Sequence, residues 1–565
     1  MKEKFFLGIN SSLYDSSAAL VKDNKLLAFS AEERFSRKKH TGEFPYKSIN
    51  FCLDFADISA DELAGASFSF RPWSGIHRRL FEIAKEMPHS LGFLKTHSGS
   101  FRDMLGIKNH FRSSFSARKV SFNYYKHHDT HAASAYYLSP FSSAGVLIVD
   151  GSGESATVSI YKGEGEKIKY LGGSFYPHSL GYLYQAVTRY LGFSPAGDEG
   201  KVMGLAGYSV AENLPEMKNL VSFSKKGIRL NPDYFIFQRN AAHPSNDRPY
   251  FSDKFERVFG PPRKPGNPIE ERHKKVAAGV QGLLEESLIF LAEETRRLSG
   301  SNNLAIGGGV ALNSLANGKI EESLKDIQLF AIPSSGDDGS AIGAALINSV
   351  KMTDRRPQPL ETPFLGSAYG EKSIVRAADS YGIKYKRPVS PEKDLAFLLN
   401  SGKIVALFRG RSESGPRALG HRSILATAAD KNMKNILNAK VKHRESFRPF
   451  ASVVPYEEYS QFFWGNPENP YMMKVARAKE RAIRDIPSAI HVDGTAIVQS
   501  LKKESDNFLY GILREYEKLS GHPVLINTSF NLMGEPIVET PQDALECFLN
   551  TGIDAMLMEG FLFRK

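Results

Sequence analysis

Two histidines, His127 and His131, stand four residues apart in the stretch HHDTHAASAYYLS. On a helix that spacing puts both imidazoles on one face, as metal sites do, although a solvated or capping histidine pair has the same spacing. Asp150 closes the apolar run GVLIVD and begins the polar loop GSGESA. Asp337 opens a second polar loop at DDG, with Asp338 as its adjacent alternative. Two imidazoles and two carboxylates along one cleft make a mixed nitrogen–oxygen site. It suits Fe(II), Mn(II) or Zn(II), and such borderline ligands do not choose among them.

A second set of residues is cationic. GRSESGPRALGHRSILA and LNAKVKHRESFRPFAS hold Arg411, Arg417, Arg422, Lys442 and Arg448 among prolines and glycines. Guanidinium forks pair bidentately with phosphate oxygens, so this region reads as an anion site. Asn527, Ser529 and Asn531 in NTSFN follow an apolar strand and offer neutral polar contacts, or form a plain turn. Lys201 lies in the glycine-rich PAGDEGKVMGLAGY, where lysine is a usual phosphate contact. EERFSRKKHTGEFP is dense in charge and by itself reads as a solvated run.

These residues need elements to hold them. FFLGIN reads as a strand, SSLYDSS as a polar loop, and AALVK and LLAFSAEE as a hairpin around KDNK. The pattern returns with GVLIVD, GSGESA, TVSIYK and, after the turn GEGEK, IKYLGGS. A repeated strand–loop–hairpin unit predicts an internally duplicated α/β fold whose polar loops face one another across a cleft. LAIGGGVALNSLANGKI is a strand, the glycines Gly307, Gly308 and Gly309, and a helix; LFAIPSSGDDGSAIGAALINSV repeats strand, polar loop and helix. Glycines let a ligand approach the backbone, and a helix N-terminus offers N–H groups to an anion. A helix is predicted from Lys274 to Leu298, stopping at Gly300. The Pro-rich, charged TDRRPQPLETP at 353–363 marks the domain boundary, and GKIVALFRGR and PVLINTSFN begin a new α/β pattern beyond it.

The 565 residues exceed a single core, so several domains are expected. A content of 41% hydrophobic and 24% charged residues reads as soluble and globular. No apolar run approaches the roughly 18 residues of a membrane helix, and the apolar start is too short for a signal peptide. Cys52 and Cys547 read as core residues of a protein in a reducing, cytoplasmic compartment. The net charge of +11 invites a nucleic-acid reading. The charge is concentrated, however: residues 71–126 and 403–448 each hold eleven Lys/Arg against three Asp/Glu, which favours local anion sites. No aromatic-rich RNA-binding motif accompanies it. Residues 71–126, with Trp73, Phe81, Phe93, Phe101, Phe111 and Phe115 among Arg78, Arg79, Lys95, Arg102 and Arg112, read as a helical insertion. Leu80, Ala84 and Met87 have helical spacing. The insertion is either a solvated cap or a lid whose basic face recruits an acidic acceptor.

The chain resembles the NodU/TobZ-type O-carbamoyltransferases over nearly its full length. The stretches that carry the resemblance are DSSAALVKDNKLLAFSAEERFSRKKH, HHDTHAASAYY, LIVDGSGE, GDEGKVMGLAGY, GGGVALN, GPRALGHRSILA, KHRESFRPFA and LINTSFNLMGEPIV. The resemblance implies a duplicated actin-like ATPase (ASKHA) N-terminal domain at residues 1–355, similar to the tRNA threonylcarbamoyl-transferase subunit, and a YrdC-like α/β domain at 356–565. It implies that the C-terminal domain makes carbamoyl-adenylate from carbamoyl phosphate and ATP, with Mg(2+) accompanying the ATP. An iron site, Fe(2+), in the N-terminal domain then helps pass the carbamoyl group to the hydroxyl of a small molecule or sugar. His127, His131, Asp150 and Asp337 become the metal ligands by this resemblance. Lys39 and Lys201 would contact the intermediate, and Gly307, Gly308, Gly309 and Asn313 the adenosine. Arg417, Arg422, Lys442, Arg448 and Asn527 would line the carbamoyl phosphate and ATP pocket.

Two positions depart from the family pattern. Tyr14 precedes Asp15 where a histidine is usual, and Ile497 in HVDGTAIVQ stands where an arginine is expected. The first bears on acceptor binding and the second removes a cation. Asp15 or a cleft histidine is the candidate base for the acceptor hydroxyl. Neither nucleic acid nor membrane is an expected partner, and a homodimer is an open alternative. The rival readings are a tRNA-modifying enzyme of the threonylcarbamoyl type and a non-catalytic ATP-binding protein of the same fold.

Overall fold

The computed structural model describes residues 3–85, 87, 91–195, 197–224, 227–237 and 250–565. The chain forms two compact units, Met1–Glu32 with His40–Glu361, and Glu33–Lys39 with Thr362–Lys565.

The first unit is built on two five-stranded sheets with the same connectivity. In one, β1 (Phe5–Asn10) pairs antiparallel with β2 (Ser17–Lys22), which pairs antiparallel with β3 (Lys25–Ala31). On its other side β1 runs parallel to β4 (Gly65–Phe68), and β4 to β5 (Phe122–Tyr124). In the other, β6 (Ser143–Val149) and β7 (Ala156–Glu164) are antiparallel, as are β7 and β8 (Lys167–Phe175). A small hairpin, β9 (Val221–Ser224) and β10 (Gly227–Leu230), follows. Then β6 runs parallel to β11 (Asn303–Gly307), and β11 to β12 (Gln328–Ala331). The repetition expected from the two hairpin motifs is therefore a repetition of whole sheets. Three loops consequently leave the carboxyl ends of the parallel strands β6, β11 and β12 on one edge, the edge where α/β sheets bind ligands.

The helix Ser340–Thr353, rich in alanine and glycine, packs on both β1 and the helix His127–Tyr137. Its close seating depends on two glycines. A Cβ at Gly8 would lie 1.9 Å from the Ala341 carbonyl oxygen, and one at Gly343 would lie 1.8 Å from that of Thr130. The predicted long helix runs over Glu271–Ser299 and ends at Gly300, whose φ is +69°.

The insertion expected at 71–126 is only partly one. Helices Ile76–Lys85 and Leu91–Ser114 are present, but β5 belongs to the first sheet. Met104, Ile107 and Phe111 are buried with Leu7, Ile9 and Phe68, because their helical spacing gives the second helix a core-facing stripe. The side chains of Phe93 and Lys95 lie outside the described part. The first unit extends to Glu361 rather than ending near 355. Residues beyond 355 still bond within it: the Gln358 N–H donates to Asn24 and the Leu360 N–H to Leu138.

The second unit is a nine-stranded mixed sheet. Its strands are β13 (Tyr385–Lys386), β14 (Val405–Phe408), β15 (Arg422–Thr427), β16 (Ala451–Pro455), β17 (Val475–Arg477), β18 (Thr495–Leu501), β19 (Leu525–Ser529), β20 (Ala555–Met558) and β21 (Phe561–Arg564). They lie in the order β13-β21-β20-β14-β15-β19-β16-β18-β17. Alternation along β14 sends Val405 and Leu407 to a core with the helices Pro391–Asn400 and Asn507–Ser520. Ala406 and Phe408 join the opposite core with the helices Glu371–Ser380 and Pro541–Leu549. Cys52 and Cys547 are buried free thiols.

Candidate functional site

The helix His127–Tyr137 is buried along most of its length, and Lys126 at its N-cap gives no side-chain cap. Glu154 takes that role. Its carboxylate accepts the His127 N–H at 3.0 Å and the Arg71 N–H at 2.8 Å, satisfying donors that a helix start leaves open. Burial raises the Glu154 carboxyl above its ordinary pKa.

His127 and His131 point the same atom at the same place: their Nε2 atoms are 3.0 Å apart. Asp150, one residue past β6, brings Oδ2 to 3.1 Å from His127 Nε2 and 3.8 Å from His131 Nε2. Asp337 brings Oδ1 to 3.4 and 3.6 Å from the same nitrogens. All four ligand atoms lie within 4.8 Å of one another. An ion held at about 2.0–2.2 Å would leave neighbouring donors roughly 2.8–3.6 Å apart. The donor set therefore fits a divalent metal. Asp337, rather than Asp338, brings its carboxylate oxygen into this group of four.

The loops are set from behind. The Gly309 N–H donates to Asp150 Oδ1 at 3.1 Å, leaving Oδ2 for the histidines. Gly308 has φ +87°, and a Cβ there would lie 2.3 Å from the Val149 carbonyl oxygen, so only glycine lets this loop close on β6. Burial opposes charge on His127, but the carboxylates of Asp337 and Asp150 outweigh it and hold the imidazole well above its ordinary pKa. Burial also works against Asp150, yet the adjacent histidines drive its carboxyl well below the carboxylate range. His128, turned away to Ser159 Oγ at 2.8 Å, is pushed by burial down to about 3.

The remaining first-unit candidates have other immediate partners. Asp15 Oδ1 is 2.7 Å from His40 Nδ1, with both backbones left-handed. Tyr14 is pushed up by burial and by neighbours that include Tyr182 and Asp337, which puts its loop beside the metal set. Lys201 Nζ is 3.1 Å from Asp198 Oδ2. Asn313 caps the helix Ser314–Ser323 through the Ala316 N–H and exchanges amide hydrogen bonds with Gln281, while Gly307 ends β11. Arg79 donates to the carbonyls of Gly153, at 2.5 Å, and Glu154, and the Arg78 guanidinium lies 3.8 Å over the Phe175 ring. The basic face expected at 71–126 is thus partly spent on the Asp150–Glu154 loop.

In the second unit the cations divide. Arg417, Lys442, Arg444 and Arg448 form a cluster of like charges. Burial and then Arg448 lower Arg417; burial and then neighbours including Arg444, Arg448 and Lys39 hold Lys442 well below the lysine range; burial and Arg448 bring Arg444 down to about 9. Such a cluster favours a bound anion. Lys442 is itself bound to the NTSFN turn, reaching the Asn531 amide oxygen at 2.9 Å and the Ser529 carbonyl. Asn527 donates to Gln499 Oε1 at 2.8 Å and to the Ala418 carbonyl at 3.2 Å, next to Arg417.

Arg422, expected among the phosphate contacts, lies fully buried on the first residue of β15. Its guanidinium donates to carbonyls of Arg409 at 2.7 Å, Gly410 at 3.1 Å and Ser367 at 3.2 Å, and lies 3.8 Å from the Phe408 ring centre. It holds the loop that carries Arg417. Arg411 likewise donates to the carbonyls of Gly366, at 3.0 Å, and Leu365. Ile497 packs with Leu419 and Met472, so the place of the expected arginine is an apolar cluster. Sequence reasoning missed Glu154, Glu413 and Glu539, and read Arg34 and Arg37 as part of a solvated run. Glu413 Oε1 alone accepts three backbone N–H groups, from Leu419, His421 and Arg422 at 2.8–3.0 Å. The charge run EERFSRKKH is only partly solvated: Arg34 is buried in the second unit, whereas Lys38 and Lys39 are exposed.

Residues 5–346 match the carbamoyltransferase N-terminus and residues 396–565 the carbamoyltransferase C-terminus. The chain belongs to the carbamoyltransferase family. An uncharacterized protein of Synechocystis sp. is 35% identical over 602 residues, covering 99% of this chain and 96% of its own length. Nodulation protein NolNO of Sinorhizobium fredii is 30% identical, covering 98% of this chain and 80% of its own. Nodulation protein U of the same organism is 28% identical, covering 98% of each. No helix among the described residues is long and apolar enough to cross a membrane.

Proposed function

We propose that the chain is an ATP-dependent O-carbamoyltransferase with its two half-reactions in its two units. The first unit is read as a duplicated actin-like ATPase-type domain, a reading supported by its two sheets of identical connectivity. The second is read as a YrdC-like domain that forms the adenylate. There, carbamoyl phosphate and water give carbamate and phosphate. A carbamate oxygen then attacks the α-phosphorus of ATP, forming carbamoyl-adenylate and expelling pyrophosphate. Both substrates are polyanions. Arg417 and Arg448, with Lys442 holding the NTSFN turn beside them, are the cations suited to draw them together and offset charge on the phosphates.

In the first unit an acceptor hydroxyl attacks the carbamoyl carbon, AMP leaves, and one proton is released. The metal proposed for His127, His131, Asp150 and Asp337 is Fe(2+) or another divalent ion, and when bound it supplies Lewis-acid polarisation. The Gly308–Gly309 loop fixes Asp150 in place, and the Asp15–His40 pair offers a proton acceptor. The acceptor is a small molecule or sugar bearing a hydroxyl. The observation that carries the reading is the convergence of four ligand atoms in a carbamoyltransferase-family chain. The test is mass spectrometry after incubating protein, Fe(II), Mg(II), ATP, carbamoyl phosphate and a panel of hydroxyl acceptors. A product heavier by one carbamoyl group in place of hydrogen, formed only with ATP and carbamoyl phosphate together, is the expected result. Product formed without ATP would overturn the adenylate route.

A further inference from the structure

We infer that Arg34 and Arg37 are positioning residues of the second unit's anion site, so that this site is incomplete without a segment from the N-terminal part of the chain. The inference rests on the adenylate-forming reading of that unit. After β3 the chain enters the helix Glu32–Ser36, and residues 33–39 pack with the second unit. Arg34 is 4% exposed. Its Nη2 donates to the carbonyls of Gly415 at 2.9 Å and Glu413 at 3.4 Å, and its Nη1 lies 3.7 Å from Glu539 Oε2. Glu539 is fully buried and accepts the hydroxyls of Ser412, at 2.8 Å, and Ser367. Residues 413–422 are thus closed from within by Glu413 and clamped from outside by Arg34, and Arg417 lies in the middle of that loop.

Arg37 fastens the other side. It donates to the carbonyls of Ile537 at 2.7 Å and Pro536 at 2.9 Å, with Glu535 at 3.5 Å and Asp543 at 3.7 Å. This stretch is tied to the NTSFN turn: Asn531 Nδ2 donates to the Glu535 carbonyl at 2.8 Å, and the Val538 N–H to Phe530 at 2.9 Å. That turn holds Lys442. One arginine therefore sets the loop of Arg417 and the other the turn that receives Lys442. Carbonyl-directed guanidinium forks fix loop geometry in a way that a solvated charge or an apolar plug does not. Neither residue has to touch the anion.

The test uses the full chain and inorganic pyrophosphate as probe, read by calorimetric titration, alongside the KM and kcat of ATP–pyrophosphate exchange. Arg34→Lys keeps a charge beside Glu539 and loses the fork. It is expected to weaken pyrophosphate binding about tenfold, which is about 1.4 kcal/mol, and to raise the exchange KM more than it lowers kcat. Because Arg34 acts through the Arg417 loop, Arg34→Lys/Arg417→Ala should bind no more than about twofold worse than Arg417→Ala. The neutral pair Arg34→Met/Glu539→Gln removes the orphaned buried charge and should fold while still binding weakly. Wild-type affinity in Arg34→Lys or in the neutral pair, or full multiplication of the two losses in the double variant, would overturn the inference alone. Wild-type affinity in Arg417→Ala would overturn the reading of the second unit, and this inference with it.

Discussion

Replacing Arg422 by lysine removes a fork that reaches the carbonyls of Arg409 at 2.7 Å, Gly410 at 3.1 Å, Ser367 at 3.2 Å and His421 at 3.3 Å. An ammonium on a thinner stem keeps the charge, satisfies only part of this set, and loses the flat contact with Phe408 at 3.8 Å. Each hydrogen bond to a charged group contributes about 1.5–3 kcal/mol, and breaking a buried charged set costs about 3–5 kcal/mol. A destabilisation of about 3–5 kcal/mol is therefore expected. For a unit of this size each kcal/mol moves the midpoint by about 2–4 °C, so the second unit's transition should fall by roughly 6–20 °C. Arg417→Ala should do the reverse, leaving the transition within about 1 kcal/mol and raising the exchange KM for carbamoyl phosphate about tenfold or more. Differential scanning calorimetry reads the first quantity. ATP–pyrophosphate exchange, run well below both transitions, reads the second. An Arg422→Lys protein of wild-type stability with a tenfold KM defect would refute the division of cations into loop-holding and anion-gripping.

Several other outcomes test single links. His127 is held above its ordinary value of 6.5 by Asp337 and Asp150 against the effect of burial. Just above pH 6.5 the metal-free site therefore keeps a proton that an ion must displace. Metal affinity should rise about tenfold per pH unit in that window, with one proton released, as read by titration in buffers of different ionisation enthalpy; a pH-independent affinity would contradict it. Gly308→Ala forces a Cβ to within 2.3 Å of the Val149 carbonyl at φ +87°. Elemental analysis should find that protein depleted of metal, and full metal content would show that the Gly309–Asp150 bond is dispensable. Ile497→Arg buries a guanidinium among Leu419 and Met472. It should destabilise the second unit by about 1–3 kcal/mol without tightening ATP binding, and a tighter, equally stable variant would mean that the natural site lacks a needed cation.

Much of this architecture was legible because the apolar runs are period-clean. GVLIVD and FFLGIN lie where strands β6 and β1 are found, and the hairpin turns were marked by KDNK and GEGEK. The convergence of His127, His131 and Asp150 was readable from i,i+4 spacing and a strand-to-loop transition, which fix side chains locally, whereas the adjacent Asp337 and Asp338 could not be told apart in sequence. What was hidden depends on long-range partners. Arg422 and Arg417 look alike in sequence, and only the carbonyls of residues 367, 409 and 410 decide that one is buried. Arg34 and Arg37 lie in a run that local chemistry reads as solvent-facing, and their acceptors are some 380 to 500 positions away in the chain. The helix Leu91–Ser114 looked like an appendage because its charges dominate, although Met104, Ile107 and Phe111 mark the stripe it buries.

The central claim is that the two units carry separable half-reactions. The most direct measurement compares Asp150→Ala and Arg417→Ala in two assays on the same folded preparations: ATP–pyrophosphate exchange with carbamoyl phosphate, and carbamoyl transfer to an accepted alcohol. The account predicts that Asp150→Ala retains most exchange and loses transfer, and that Arg417→Ala has its exchange KM raised about tenfold or more while keeping its metal. Equal loss of both activities in both variants, with each protein folded, would contradict it.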